Sequence, residues 1–317
     1  MAMNKVQFQH GLPMLKFFEE YGTQAQCEQV MRGWRWPKGF VCPRCAQIEH
    51  SEFRRSTRLY FQCSACRYQC SLVAGTIFES SKLALPVWFV AMHLITQAKN
   101  NVSALELKRH LGVSYPTAWL MKHKIMEVMR QREDSRQLSG RVEIDDAYLG
   151  GEYHGGKPGR GSPNKVSFVA AVQTTNTGAP ELACFSQRPF TKKSLEEFAA
   201  KSLAAPATLV SDGLGCFTVV QGTGILHERH ITGGGAASVE HPEFLAVNTV
   251  LGNLKTAFAG TYHAFGFAKY AHRYLAQVQY LFNRRFNLRT ILTRLICAAC
   301  DTKACPLYAV RAAEPAC

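Results

Sequence analysis

Hydrophobic and polar residues form short alternating or apolar runs through the middle of the chain. The runs VEIDDAYLG, VSFVAAVQ, ELACFS and ATLVSDG are separated by glycine, proline or polar segments. Such runs are typical of strands, and ILHERHIT predicts a further one. The segments KSLEEFAAKSLA and FLAVNTVLGNLKTAFAG instead have the longer period of helices.

The order of these elements predicts the fold of residues 140–290. Three strands, a helix, a strand, a later strand and a helix follow one another. This is the order of a ribonuclease-H-like (RNase-H-like) α/β domain with a mixed sheet. Connections of this kind bring the end of the first strand beside the end of the fourth. Asp145 and Asp212 stand at these two ends, so we expect their carboxylates to lie close together.

The N-terminal half has mainly helical periodicity. PVWFVAMHLITQA is apolar around most of a helix, and SALELKRHLG begins with the capping box Ser103 and Glu106 and ends at Gly112. VSYPTAWLMKHKIMEVMRQ follows after a short turn. The pattern predicts a helix-turn-helix DNA-binding region over residues 80–133, with an ordinary helical hairpin as the alternative. The residues that it would present to a DNA groove are Tyr115, Thr117, Lys122 and Lys124.

Two C-x-x-C knuckles lie in residues 36–75, after a predicted N-terminal helical segment of residues 1–35. The ligands would be Cys42 and Cys45 in VCPRC, and Cys63 and Cys66 in QCSAC. The 17 residues between the knuckles fit the spacing of a zinc ribbon. Because four thiolates complete a tetrahedral site, we predict one structural Zn²⁺, with reduced buried cysteines as the alternative.

The charge of the chain points to a polyanionic partner. The sequence has 37 Lys and Arg against 23 Asp and Glu, a formal net charge of +14. No apolar run reaches the roughly 20 residues of a membrane helix, and the N-terminus lacks the apolar core of a signal peptide. We therefore expect a cytoplasmic protein that acts on nucleic acid and not at a membrane.

The converging aspartates predict a metal site. Neighbouring carboxylates repel each other unless a cation neutralises them, and Mg²⁺ is held by a few carboxylates, water and substrate phosphate. Paired ions of this kind serve phosphoryl transfer by activating one oxygen and stabilising another. Asp145 alternates with Glu143 along its strand, so Asp146 is predicted to point to the opposite face.

A basic, glycine-rich connection follows the first of these strands. The segment GGEYHGGKPGRGSPNK contains Lys157, Arg160 and Lys165. Basic side chains beside a metal site suit contact with the DNA backbone, and the tip of a solvated hairpin is the other interpretation.

From about Phe40 to Arg285 the chain resembles bacterial insertion-sequence transposases of the DDE superfamily. It is most similar to the ISXO-like group, which joins a zinc ribbon to an RNase-H-like catalytic domain. The resemblance depends on the order and spacing of VCPRC, QCSAC, VEIDDAYLGG, VSDG, NTVLGNLKTAFAGTYHAF and YLAQVQYLFNRR.

The resemblance implies a set of site residues. The first and second aspartates of the family fall on Asp145 and Asp212, and the third position, variously Glu, Asn or His, falls on Asn248. Lys255 follows seven residues later, almost two helical turns on, so both side chains lie on one helix face. The amide oxygen of Asn248 suits a metal, Lys255 suits a DNA phosphate, and we expect two Mg²⁺ (or Mn²⁺) ions.

The sequence also departs from the family pattern. Gln277, preceded by Ala276, stands where an acidic residue is expected, and the aromatic residue often found between the third ligand and the lysine is absent. A neutral third ligand weakens metal attraction, so Glu240 and Glu243 are reserve ligands. Their other interpretation is as solvated charges at the entry to a helix.

These observations predict a DNA transposase. It would bind the terminal repeats of its element, hydrolyse the 3′ strand bond and join the freed 3′-OH to target DNA, as a homo-oligomer on double-stranded DNA. The resemblance implies that it acts in the bacterial cytosol or nucleoid. The alternatives are a non-catalytic DNA-binding regulator and an RNase-H-like nuclease without strand transfer. Asp145 and Asp212 argue against a regulator, whereas Asn248 and Gln277 keep it open. Residues 291–317 are a C-terminal tail with no assigned role.

Overall fold

A computed structural model describes residues 9–150, 162, 164–222, 224–231, 241–262 and 265–312. The described residues divide into two compact units. One combines the chain up to Met129 with Arg284–Arg311, and the other combines Arg130–Asn283 with the described residue Ala312. None of the described helices is both long and apolar enough to cross a bilayer.

The first unit is mainly helical. Its helices are α1 (Met14–Tyr21), α2 (Gln24–Arg35), α3 (Leu85–Gln97), α4 (Ala104–Leu111), α5 (Tyr115–Glu133), α9 (Leu288–Asp301) and α10 (Leu307–Arg311). The last turn of α5 belongs to the second unit. The predicted capping box is present, because the Ser103 hydroxyl accepts from the Glu106 backbone N–H and the Glu106 carboxylate accepts from the Ser103 N–H. Gly112 ends α4 with the left-handed φ of +65° that favours glycine.

A small antiparallel sheet also belongs to the first unit. It comprises β1 (His50–Arg55), β2 (Arg58–Cys63) and β3 (Gln69–Ser71), in that order, and we call it the ribbon sheet. Phe61 of β2 lies on the inner face of this sheet. Its ring is buried and stacks on that of Phe40, with 5.1 Å between the centroids. Trp36 contacts the same ring edge-on at 4.7 Å. Aromatic packing therefore forms the small core beneath the ribbon sheet.

The C-terminal segment returns to the first unit. Helix α9 packs against α2 and α3. Its buried residues recur at helical spacing, and they are Ile291, Leu292, Leu295, Ile296, Ala299 and Cys300. Much of the stretch 291–317, which was predicted only as a tail, is thus a core helix of the N-terminal unit.

The second unit contains a mixed sheet. Its strands are β4 (Leu138–Leu149), β5 (Val166–Thr174), β6 (Pro180–Gln187), β7 (Leu203–Ser211) and β8 (Leu226–Arg229), and its helices are α6 (Lys192–Ser202), α7 (Leu245–Thr261) and α8 (Phe267–Phe282). In the described residues the strand order is β6-β5-β4-β7-β8. The first three strands pair antiparallel, whereas β4 with β7 and β7 with β8 pair parallel. The predicted RNase-H-like mixed α/β fold is confirmed.

One face of this sheet carries a hydrophobic core. Helix α6 and the 3₁₀ segment Gly215–Gly222 pack there, with Phe198 and Phe217 buried among the strand side chains. The strand residues that they cover include Val142, Ile144, Val169, Ala171 and Leu209. This core fixes β4 and β7 side by side, which sets the positions of the residues that follow Ile144 and Ser211.

Candidate functional site

The register of β4 and β7 brings Asp145 and Asp212 together. The two strands run parallel, and their last paired residues are Ile144 and Ser211. Asp145 is the next residue of β4, and Asp212 directly follows the end of β7. Equivalent positions on neighbouring parallel strands point to the same side of a sheet, so both carboxylates meet where the pairing ends.

Asp146 lies in the same cluster. One carboxylate oxygen from each of Asp145, Asp146 and Asp212 lies within 4.8 Å of the other two. The prediction that alternation turns Asp146 away from the site is therefore wrong. Alternation describes the direction in which each side chain leaves the strand, not where its carboxylate ends. Because β4 beyond Ile144 is paired with β5 alone, its other edge is open, and a carboxylate oxygen of both neighbouring residues can reach the same place. Here the Asp145 carboxylate accepts a hydrogen bond from the Asp146 backbone N–H at 2.8 Å.

The cluster disfavours ionisation of the Asp145 carboxyl group. Burial, followed by the charges of Asp146 and Asp212, raises the pKa of Asp145 to about 6. The Asp146 backbone N–H and the positive charge of Lys255 oppose this rise without cancelling it. Three carboxylates in one partly buried place therefore repel each other, which is the arrangement that a divalent cation relieves.

The geometry fits a divalent metal. In an octahedral site with metal–oxygen distances of about 2.1 Å, ligand oxygens lie roughly 3 to 4 Å apart. One oxygen from each of Asp145, Asp146 and Asp212 lies within 4.8 Å of the other two, close enough for a small adjustment to bring them round one ion. The site is half-buried, which leaves room for water and a substrate phosphate to complete the coordination.

A tight turn holds Asp212 in place. The Asp212 carboxylate accepts from the backbone N–H of Leu214 at 3.0 Å, and Gly213 between them has a left-handed φ of +88°. The buried Ser211 hydroxyl accepts from the Gly213 N–H at 3.3 Å and lies 2.8 Å from His227 Nε2. Burial, followed by the charge of nearby Arg229, lowers the pKa of His227. Which of the two groups donates in this hydrogen bond depends on the tautomer of the ring.

A buried ion-pair network fixes the start of α7 against β4. Glu143, only 2% exposed, accepts from the Val247 backbone N–H at 2.9 Å and from Arg141 at 2.7 Å. Arg141 also pairs with Glu243. The structure thus places the reserve ligand Glu243 in an ion pair rather than in the carboxylate cluster, and Glu240 lies outside the described residues.

Asn248 and Lys255 both lie on α7, as predicted. Asn248 is half-buried and immediately follows Val247, which anchors the helix to β4. Lys255 is exposed, and its charge acts on the Asp145 carboxyl group. Gln277, on α8, is buried and accepts a hydrogen bond from the Tyr262 hydroxyl at 3.4 Å. The neutral residue at this departure from the family pattern is therefore accommodated inside the fold.

The four predicted zinc ligands converge in the first unit. The sulfurs of Cys42 and Cys66 lie 3.6 Å apart, as do those of Cys45 and Cys63, and all four lie within 4.8 Å of one another. Zn–S bonds of about 2.3 Å in a tetrahedron separate the sulfurs by about 3.8 Å. The thiol cluster therefore fits a zinc ion that has no open position.

Backbone groups of the knuckles favour thiolates at Cys42 and Cys63. At Cys45 the backbone N–H of Gln47 also lowers the pKa, but hydrogen bonds with the neighbouring sulfurs and burial raise it to about 12. Burial raises the pKa of the Cys42 thiol, but the backbone N–H groups of Arg44 and Cys45 outweigh this effect and the pKa falls to about 7. The backbone N–H of Cys66 lowers the pKa of Cys63 in the same way. Thiolate is the form that ligates zinc.

The predicted DNA-binding residues of α5 separate into two groups. Tyr115 is 49% exposed and Thr117 is half-buried, both in the first turn. Lys122 and Lys124 are 1% and 7% exposed, so the prediction that they contact DNA is wrong. Their ammonium groups donate to the carbonyl oxygens of Val102 and Ile77, at 2.6 Å and 3.1 Å.

The reason is that the middle of α5 is a core helix. Met121, Ile125, Met126 and Met129 are buried around it, which leaves no solvated face for the intervening lysines. Burial accordingly lowers the pKa of Lys122 well below its ordinary value. Of the basic connection after β4, Lys165 is half-buried, and Lys157 and Arg160 lie outside the described residues.

Comparisons with known proteins agree with this architecture. Residues 137–283 match the ISXO2-like transposase domain, and residues 22–69 match the transposase zinc-ribbon domain. The chain is also similar to a protein in the transposable element ISH50 of Halobacterium salinarum, with 32% identity over 142 residues. That match covers 44% of this chain and 45% of the relative, so the chain spans less than half the length of the relative that it matches.

Proposed function

We propose that this chain, which carries the zinc-ribbon and ISXO2-like domains of insertion-sequence transposases, cuts DNA at the ends of its element and joins them to target DNA. The observation that carries the proposal is the gathering of Asp145, Asp146 and Asp212 at one place in the sheet. A fold needs no such cluster, because its repulsion costs stability unless a cation is bound.

In this proposal Asp145, Asp212 and Asn248 hold two Mg²⁺ (or Mn²⁺) ions, and Asp146 contributes a further carboxylate. When bound, such ions activate the attacking oxygen and stabilise the leaving oxygen in phosphoryl transfer. Asp146 offsets the weaker metal attraction of a neutral ligand at Asn248. The exposed ammonium group of Lys255 holds a DNA phosphate close to the carboxylates.

The other parts of the chain bind and position DNA. One structural Zn²⁺ on Cys42, Cys45, Cys63 and Cys66 stabilises the ribbon, which is too small to have a large core of its own. Tyr115 and Thr117 remain exposed or half-exposed at the start of α5 for contact with the duplex. Lys157, Arg160 and Lys165 are proposed contacts to the DNA backbone. The protein would act at the nucleoid as a homo-oligomer that holds both element ends.

The test uses purified protein, labelled element ends, a target plasmid and Mg²⁺ or Mn²⁺. Asp145→Asn and Asp212→Asn are expected to bind the ends but neither cut nor join them, because the charge that holds the ions is lost while the fold remains. Glu181→Gln makes the same chemical change at an exposed position on β6 and should behave as wild type.

The products separate the competing functions. Joined DNA identifies a transposase, and cut DNA without joining identifies a nuclease. Specific binding by a wild-type protein that neither cuts nor joins would make it a regulator. Wild-type cleavage by Asp145→Asn, in a preparation free of contaminating nuclease, would overturn the metal-site assignment.

A further inference from the structure

The outer face of the ribbon sheet has an unusual composition. We define this face by Phe53, Arg55, Tyr60, Gln62 and Gln69, which the pairing of β1, β2 and β3 places on one side. Arg55 and Gln69 are exposed, and the other three are half-buried. None of these residues belongs to the zinc or carboxylate clusters.

An arginine lies over two stacked rings on this face. Phe53 and Tyr60 are directly paired across β1 and β2, with ring centroids 5.5 Å apart and planes inclined by 20°. The guanidinium carbon of Arg55 is 5.3 Å from the Phe53 centroid and 5.4 Å from the Tyr60 centroid. Stacking of this kind restricts the side chain while leaving its charge on the surface.

A row of amides continues from the arginine. Arg55 donates to the Gln69 side-chain oxygen at 2.6 Å, and the Gln69 amide nitrogen donates to the Gln62 side-chain oxygen at 2.9 Å. In the part of the chain that the structure describes, Arg55 has no carboxylate partner. Its positive charge therefore remains uncompensated.

The acidic residues of this region lie on the other side of the sheet. Glu52 pairs with Arg32 of α2 at 2.6 Å, and Glu28 of α2 pairs with Arg54 at 2.5 Å. Among the residues of β1 to β3, all of them described, alternation puts no carboxylate on the outer face. The ribbon sheet is thus polarised, with its net positive charge facing outward.

We infer that the outer face of the ribbon sheet binds duplex DNA, with Arg55 on a backbone phosphate and the Gln62–Gln69 pair beside it. The inference rests on the proposed function in taking DNA as the partner. Charge complementarity favours a polyanion, and two- or three-stranded ribbons fit against duplex DNA. Because Arg55 is already held by the rings, contact with a phosphate costs little further side-chain freedom.

The test compares two arginines of the same region. Binding of a short fluorescent duplex of arbitrary sequence is measured over a range of salt concentrations, for the full chain with Ca²⁺ in place of Mg²⁺ and without chelator. Arg55→Ala removes the proposed contact. Arg32→Ala is the matched control, because it also removes one arginine charge, but from a half-buried residue that Glu52 already neutralises.

Arg55→Ala should weaken binding about five- to tenfold at 0.1 M salt and reduce the salt slope by about 0.9, the effect of one lost phosphate contact. Arg32→Ala should change both quantities much less. Zinc content and circular dichroism should match wild type in both variants. Equal effects of the two substitutions, or none from Arg55→Ala, would overturn the assignment.

Two further measurements define the contact. Arg55→Lys should keep the salt slope but bind with intermediate affinity, because lysine retains the charge and loses the planar stacking. A single-stranded probe that responds to Arg55→Ala more strongly than the duplex would assign the face to single strands and overturn the inference. Because binding is measured without catalysis, the result stands apart from the cutting assay: either proposal can fail alone.

Discussion

The four cysteines of the ribbon and the three aspartates of the mixed sheet each gather ligand atoms within 4.8 Å of one another. The cysteines come from two short knuckles, where backbone N–H groups favour the thiolate at Cys42 and Cys63. The aspartates come from two distant strands and repel one another until a cation is present. The first cluster therefore fits a stabilising role in the fold, whereas the second lowers stability unless a cation binds, as the proposed function requires.

The largest effect is expected from the removal of one thiolate of the zinc cluster. Cys63→Ser should abolish zinc binding, unfold the ribbon and eliminate specific binding to element ends, because the module depends on the metal for its fold. Metal analysis should give about one zinc per chain for wild type and none for the variant. Cys297→Ser, at a half-buried cysteine of α9 outside the cluster, should retain the metal. A purified wild-type protein without zinc would contradict this assignment.

Removal of an aspartate of the carboxylate cluster should instead stabilise the fold. In protein without added Mg²⁺ or Mn²⁺, Asp145→Asn should raise the free energy of unfolding at pH 7, by up to about 3 kcal/mol from the shift in pKa. The folded-state pKa of Asp145 is raised from 3.8 to about 6. Its stabilising contribution is therefore complete below about pH 4 and is lost as pH rises through about 6.

Thermal unfolding at several pH values checks this prediction. The advantage of Asp145→Asn over wild type should shrink towards pH 4, where the wild-type carboxyl group is protonated. Adding Mg²⁺ at pH 7 should stabilise wild type and leave the variant nearly unchanged. Glu181→Gln, at an exposed site of the same unit, should show no such pH dependence. A less stable Asp145→Asn at pH 7 would mean that the carboxylates do not repel in the fold.

The different origins of the two clusters also explain what the sequence could predict. The zinc ligands follow from local spacing, and the meeting of Asp145 with Asp212 follows from strand order alone. The position of Asp146 depends on where β4 loses its second neighbour, which is a tertiary property. Periodicity along the chain contains no information about that point, so the simple alternation rule failed there.

Burial of α5 shows the same limit. Lys122 and Lys124 are two residues apart and therefore lie on different faces of the helix. Their long side chains reach backbone carbonyls inside the first unit. The available signal was that α5 has no face that is consistently polar, because apolar residues such as Met121, Ile125 and Met129 surround the two lysines. The C-terminal helix α9 could have been predicted, since Ile291, Leu295 and their neighbours recur at helical spacing, but its return to the N-terminal unit depends on tertiary packing.

A smaller effect is expected from two substitutions that test which residues of the site bind the metal. Asp146→Asn should raise the Mg²⁺ or Mn²⁺ concentration that half-maximal cutting requires about 10- to 100-fold, because a group in or next to the coordination sphere is lost. Asn248→Asp should shift the dependence to lower metal concentration, because it adds a charged ligand. Metal titrations of cutting by each variant provide the measurement. If Asp146→Asn needed the same metal concentration as wild type, Asp146 would have only a structural role.

The smallest expected effect is that of the cation beside the cluster. Lys255 is exposed, yet its charge lowers the pKa of Asp145 and so opposes the repulsion of the neighbouring carboxylates. In protein without added metal, Lys255→Ala should lower the free energy of unfolding at pH 7 by about 0.2 to 1 kcal/mol, the usual range for an exposed charge pair. Below about pH 4 the difference should vanish, because Asp145 is then protonated with or without the lysine. Lys193→Ala, at an exposed position on α6 of the same unit, should have no comparable effect at either pH. Lys255→Ala should also cut DNA more weakly at saturating metal, since a phosphate contact is lost. A normal cutting rate at saturating metal would limit the role of Lys255 to its effect on the pKa of the carboxylates.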